Sequence, residues 1–117
     1  MSRDYKLYLQ DIFDCCENAV SYTDNMTFDE FSADRKTIDA VVRNLEIIGE
    51  AVKSIPSEIL QKQSEIEWKQ IARLRDLIIH QYFKVKLTVV WDIVQNRLPE
   101  LKKAVGKMLI EITKREE

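Results

Sequence analysis

Residues 38–56 read IDAVVRNLEIIGEAVKSIP, and their apolar side chains recur every three or four positions. This spacing puts one apolar stripe on an α-helix and predicts that the helix packs against a core. Ser32 or Asp34 is placed to cap its start, and Pro56 ends it because the residue before a proline is pushed out of helical geometry. Gly49 lies in the middle, where glycine costs about 1 kcal/mol relative to alanine, so it indicates the close approach of another helix.

Similar apolar stripes occur on both sides of this helix. They lie at residues 5–22, 68–79, 89–99 and 101–112. Ser2 is the expected N-cap of the first, and the proline at residue 99 is expected to separate the last two. Phe28 and Phe31 should anchor a short turn, and residues 57–67 should form one helical turn and a loop. With only two glycines and two prolines in the chain, we expect an all-α fold, an antiparallel helical bundle of four main helices plus short helical pieces.

The chain of 117 residues fits one helical domain, residues 1–117, which can bury roughly two thirds of its unfolded surface. Its formal net charge of −2 argues against holding long nucleic acid by charge alone, so any RNA contact must be local. No apolar run approaches the roughly 20 residues of a membrane span, and the N-terminus lacks the pattern of a signal peptide. We therefore expect a cytoplasmic protein with no membrane partner.

Cys15 and Cys16 are adjacent, which makes a disulfide between them sterically poor and matches no zinc pattern. We expect reduced thiols in or near the core. The single histidine and the scattered carboxylates have no metal-ligand spacing. The sequence therefore predicts no metal site and no cofactor.

The residues best suited to chemistry are concentrated in RDLIIHQY, residues 75–82. His80 can exchange a proton near neutral pH, and Arg75 can present a fork of donors to phosphate. In metal-free RNA cleavage a base removes the 2′-hydroxyl proton, that oxygen attacks phosphorus, and a cation stabilises the developing charge. His80 suits the proton transfer, Arg75 suits the charge, and Asp76, four residues before His80, is a candidate to orient the imidazole or raise its pKa.

One straight helix does not aim Arg75 and His80 at one small atom, because they lie about 140° apart around its axis. The helix ends or distorts near His80, or long side chains converge over its edge, or a second copy supplies the missing half across a twofold axis. The third solution predicts a homodimer. A non-catalytic interpretation of these residues also stays open, in which His80 is a surface residue, Arg75 and Asp76 form a solvated ion pair and Tyr82 lies in the core.

The order Arg75, four residues, His80, one residue, Tyr82 resembles the motif of the HEPN superfamily, and specifically of the HepT-like toxins. The similarity extends, in order, through residues 39–51, 68–76 and 80–83 and through VW, LP and L at positions 90, 91, 98, 99 and 101. The resemblance implies a HEPN-like helical homodimer in which paired motifs form a composite, metal-independent endoribonuclease site for an RNA substrate. Arg75 and His80 would be its catalytic residues.

The resemblance also implies a toxin–antitoxin system. The partner would be a minimal nucleotidyltransferase similar to MntA, which silences the toxin by AMPylation of the motif tyrosine, here Tyr82. One departure is Asp76, where many members of the family have Asn, since a carboxylate beside a phosphate site opposes anion binding. Two alternatives stay open: a catalytically silent HEPN module that docks a nucleotidyltransferase, and a purely structural helical dimer.

Overall fold

The computed structural model describes residues 4–81 and 86–116, with side chains for all of these except residues 79–81. The regular structure of the described residues is entirely helical, which confirms the all-α prediction. In chain order the helices are α1 (Tyr5–Tyr22), α2 (Phe28–Ser32), α3 (Arg35–Lys53), α4 (Ser57–Leu60), α5 (Trp68–Gln81), α6 (Leu87–Asp92) and α7 (Leu98–Glu116). A 3₁₀ turn, Gln61–Gln63, follows α4, and a π-helical turn, Ile93–Arg97, joins α6 to α7.

Acidic residues cap the two long N-terminal helices. The carboxylate of Asp4 accepts a hydrogen bond from the backbone N–H of Lys6 at 3.0 Å, so the prediction of Ser2 as N-cap was wrong. A capping side chain must come from the residue just before the first helical turn, and that residue is Asp4. Asp34 caps α3 by accepting from the backbone N–H of Thr37 at 3.1 Å, which selects it from the two predicted caps.

The bundle is built around α1 and α3. Helix α1 packs against α3 and α7, and α3 packs against α1 and α5. Helices α1 and α7 run antiparallel, because Lys6 pairs with Glu116 at 2.7 Å at one end and Glu17 pairs with Lys102 at 3.3 Å at the other. The largest fully buried side chains of the core include Leu9, Ile12, Phe31, Leu45, Ile48, Leu98 and Leu101.

The predicted separation at Pro99 was wrong. Helix α6 continues through the π-helical turn into α7, and Pro99 is the second residue of α7. A proline ring clashes with the carbonyl four residues earlier, here that of Gln95, and Gln95 lies within the wider π turn. Residues 87–116 therefore form one continuous helical path, which makes the fourth main helix of the bundle.

Aromatic contacts fix the short elements. Phe31 is fully buried and its ring centroid lies 5.2 Å from that of Trp91, while Phe28 meets Trp91 edge-on at 6.0 Å. This confirms that the two phenylalanines anchor a short turn, which is helix α2. Trp68 is buried at the start of α5 and donates its indole N–H to the carbonyl of Gln63 at 3.0 Å.

Both cysteines are free and buried, as predicted. Burial raises the pKa of the Cys15 thiol to about 11 and that of Cys16 to about 12. Both thiols are therefore protonated at neutral pH and poor nucleophiles. Within residues 4–81 and 86–116, no helix is long and apolar enough to cross a membrane.

Candidate functional site

Gly49 brings α3 and α5 into close contact at Arg75. A Cβ atom on Gly49 would lie 2.7 Å from the backbone nitrogen of Arg75, 3.1 Å from its Cβ and 3.3 Å from the carbonyl oxygen of Ala72. A side chain of any size at position 49 would therefore displace α5 or the Arg75 backbone. The close approach predicted from the glycine is confirmed, and it occurs at the first residue of the RDLIIHQY motif.

Four charged side chains alternate in sign across this contact. The Nε of Arg75 lies 2.8 Å from Oε2 of Glu50, and its Nη1 lies 3.9 Å from Oδ1 of Asp76. The other oxygen of Asp76, Oδ2, accepts a hydrogen bond from Nζ of Lys53 at 2.8 Å. Helix α3 thus supplies Glu50 and Lys53 as partners for two successive residues of α5.

The Arg75 guanidinium is paired at Nε and its side chain is partly exposed to solvent. Glu50 lies against Nε, and the side chain of Arg75 is 41% exposed. A guanidinium carries five N–H donors, and four of them are on the two terminal nitrogens. These terminal nitrogens form the edge that binds a phosphate in a bidentate manner.

Arg75 also lines an open cleft of about 290 Å³ between α1, α3 and α5. Arg43 is a second cation in this cleft and lies 3.3 Å from the carboxylate of Glu46. Asp11 and Glu50 line the same cleft, so it presents charges of both signs. Glu46 lines the cleft too, so three carboxylates accompany the two guanidinium groups, and the cleft does not suit a long anionic chain.

His80 lies in α5, which extends one residue beyond it, to Gln81. Its separation from Arg75 is therefore five residues of α-helix, about 140° around the axis and about 7.5 Å along it. The described part of α5 reaches only one residue beyond His80, so all three predicted solutions stay available: a helix end near His80, convergence of long side chains, and a second copy. The side chain of His80 and all of Tyr82 lie outside the described structure, so their roles stay predictions.

Asp76 is brought to Lys53 of α3. Its predicted action on the His80 imidazole is not tested by this contact and stays a prediction. Among residues 4–81 and 86–116, no group of three or more His, Cys, Asp or Glu side chains is arranged to hold a metal ion.

Glu50 and Lys53 were not predicted as site residues from the sequence. A signal was present, since Gly49 marks the face of α3 that meets another helix. The residues one and four positions after it lie beside that contact. Which residues of α5 they would meet depended on the register of the two helices, and that is known only from the structure.

The chain matches the family model described as "Ribonuclease HepT-like" over residues 12–108. It is 42% identical to "Putative RNase MJ0127" of Methanocaldococcus jannaschii, across 94% of this chain and 91% of that protein. It is 43% identical to "Probable ribonuclease HepT" of Thermococcus cleftensis, across 92% of this chain and 98% of that protein. No solved structure matches the chain significantly.

Proposed function

The chain belongs to the HepT-like ribonuclease family, and from this premise we propose that it is a metal-independent endoribonuclease, the toxin of a toxin–antitoxin system. The observation that carries the proposal is the guanidinium of Arg75, held at Nε by Glu50 and partly exposed to solvent, five helical residues before His80. This pairs a phosphate-binding group with a group that can transfer a proton near neutral pH.

In the proposed reaction His80 removes the proton of an RNA 2′-hydroxyl. The 2′-oxygen attacks the adjacent phosphorus, the bond from phosphorus to the 5′-oxygen breaks, and that oxygen takes up a proton from water. Arg75 stabilises the negative charge that builds on the phosphoryl oxygens in the transition state. The products are a 2′,3′-cyclic phosphate and a 5′-hydroxyl end.

The proposed active form is a homodimer with a composite site. The positions of Arg75 and His80 lie about 140° apart around the axis of a single α5. A twofold axis near the motif would bring the histidine of one copy toward the arginine of the other. This arrangement accounts for the angular separation without any distortion of α5.

The proposed regulator is a nucleotidyltransferase antitoxin of the MntA type, acting in the same cytoplasmic compartment. It would transfer AMP from ATP to the hydroxyl of Tyr82, with pyrophosphate as the leaving group. The added phosphate charge and adenosine beside the motif would pair with Arg75 and exclude RNA. Incubation of the protein with its partner and ATP should raise its intact mass by one adenylyl group, and a Tyr82→Phe variant should stay unmodified.

The alternative is a catalytically silent binding module that docks the nucleotidyltransferase. The carboxylate of Asp76 lies 3.9 Å from Nη1 of Arg75 and favours the silent module, because a negative charge there opposes phosphate binding. Intact Arg75 and His80 favour the enzyme.

Cleavage of end-labelled RNA in EDTA separates the two. Wild-type protein should cleave, His80→Ala and Arg75→Ala should not, and Arg73→Ala, which removes an exposed cation of the same helix, should cleave like wild type. Absence of cleavage by the unmodified wild-type protein would favour the silent module. Cleavage that disappears in EDTA would contradict metal independence.

A further inference from the structure

We propose that Lys53 is a positioning residue for Arg75: by holding the carboxylate of Asp76, it keeps that carboxylate from occupying the terminal nitrogens of Arg75. Those nitrogens then stay available to an RNA phosphate. The inference rests on the proposed function and adds to it a residue on α3 that has no contact with the reacting atoms.

The two oxygens of Asp76 have different partners at different distances. Oδ2 accepts a hydrogen bond of 2.8 Å from Lys53, whereas Oδ1 lies 3.9 Å from Nη1 of Arg75. The first is a charge-assisted hydrogen bond and the second is too long to be a hydrogen bond. Asp76 is therefore hydrogen-bonded to Lys53 and not to Arg75, although it follows Arg75 directly in the chain.

Because Glu50 occupies Nε of Arg75, phosphate binding depends on the two terminal nitrogens. Glu50 lies 2.8 Å from Nε, so that nitrogen is already engaged by a carboxylate. If the carboxylate of Asp76 moved onto Nη1 as well, Arg75 would be bound by acids at both edges. A phosphate would then have to displace one of them before it could bind.

The charges of the cluster lead to the same expectation. Glu50 and Asp76 are balanced by Arg75 and Lys53, so these four side chains together carry no net charge. Removal of the Lys53 ammonium leaves one net negative charge beside the phosphate-binding edge. The four side chains are between 37% and 58% exposed, so solvent and salt screen the effect and it should weaken as ionic strength rises.

The test places Lys53→Met in two backgrounds, wild type and Asp76→Asn, and measures binding of an RNA with 2′-deoxy substitutions, which cannot be cleaved. In the wild-type background Lys53→Met should raise the Kd about two-fold to five-fold, the range of an exposed ion pair. In the Asp76→Asn background the same substitution should have almost no effect. Lys36→Met, which removes an exposed cation from the far end of α3, is the matched control and should bind like wild type.

Equal loss of binding in both backgrounds would overturn the inference, because Lys53 would then contact RNA or support the fold without Asp76. Equal binding by wild type and Lys53→Met would also overturn it. Thermal unfolding of each variant identifies any loss that comes from unfolding. Cleavage assays on unsubstituted RNA judge the proposed function separately, since the binding assay gives its answer whether or not the protein cuts.

Discussion

Gly49 and Arg75 meet with almost no space between them, since a Cβ on the glycine would lie 2.7 Å from the arginine's backbone nitrogen. The contact joins the middle of α3 to the residue proposed to bind phosphate. The position of that residue therefore depends on the absence of a side chain elsewhere in the chain.

Gly49→Ala should destabilise the protein and reduce RNA cleavage together. The added methyl group would meet backbone atoms, which cannot rotate away, so overpacking should cost about 1–3 kcal/mol in the free energy of unfolding. Displacement of Arg75 should lower the cleavage rate further than the loss of folded protein explains. Urea unfolding and single-turnover cleavage measure the two effects.

Gly106→Ala is the matched control for that substitution. A Cβ at position 106 would lie 3.4 Å from Cε2 of Phe13, in ordinary contact with one ring. Because alanine is the better helix former by about 1 kcal/mol, this variant should be as stable as wild type or more stable, and fully active. If Gly49→Ala also behaved in this way, the close approach would have no consequence for Arg75.

Arg75→Lys should lose most of the cleavage activity although it keeps the charge. A lysine ammonium cannot pair with Glu50 through one edge and bind a phosphate through two parallel N–H groups. We expect the cleavage rate to fall more than about ten-fold, and Arg75→Ala to lose about 100-fold or more. Arg73→Lys serves as the control on the same helix. Full activity of Arg75→Lys would mean that a point charge is enough.

Phe31→Ala should lower the free energy of unfolding by about 3–5 kcal/mol, because a fully buried ring is removed and a cavity remains. Phe28→Ala should cost less, since Phe28 is only half-buried. Urea unfolding followed by tryptophan fluorescence measures both, and Trp91 reports the packing directly. Equal costs for the two variants would contradict the larger contribution expected from the more deeply buried Phe31.

Cys15 and Cys16 should react slowly with a thiol reagent in the native protein at pH 8 and rapidly in urea. Burial raises the pKa of these thiols to about 11 and about 12, so the thiolate is scarce in the folded state. A thiol ionises more readily in the unfolded chain, so stability should be unaffected below about pH 9 and should fall as pH rises toward 11 and 12. Labelling at the rate of an exposed thiol, or constant stability across this range, would contradict the assignment.

Burial was predictable where the apolar periodicity of a single helix determines it. The stripe of α3 placed Val41, Leu45 and Ile48 in the core, and all three are fully buried. That prediction needed only the helical period, since every third or fourth residue faces the same way. The burial of Trp68 followed from the same pattern in α5.

The charged contacts around Arg75 needed knowledge of two helices at once. Glu50 and Lys53 are exposed on α3 and do not belong to its apolar stripe. Their partners therefore depend on the axial register of α5 relative to α3. A shift of α5 by a single residue would pair them with different side chains. The break predicted at Pro99 failed for another reason, because proline interrupts a regular α-helix but not a helix that has already widened into a π turn.

That π turn constrains the length of the chain between α6 and α7. One residue more or fewer in a helix rotates everything beyond it by about 100°. Helix α6 contacts α2 and helix α7 contacts α1. The packing faces of α6 and α7 must therefore keep their relative orientation around one continuous helical path. A single-residue deletion within residues 93–97 should therefore be far more harmful than a substitution of the exposed Asn96 or Arg97.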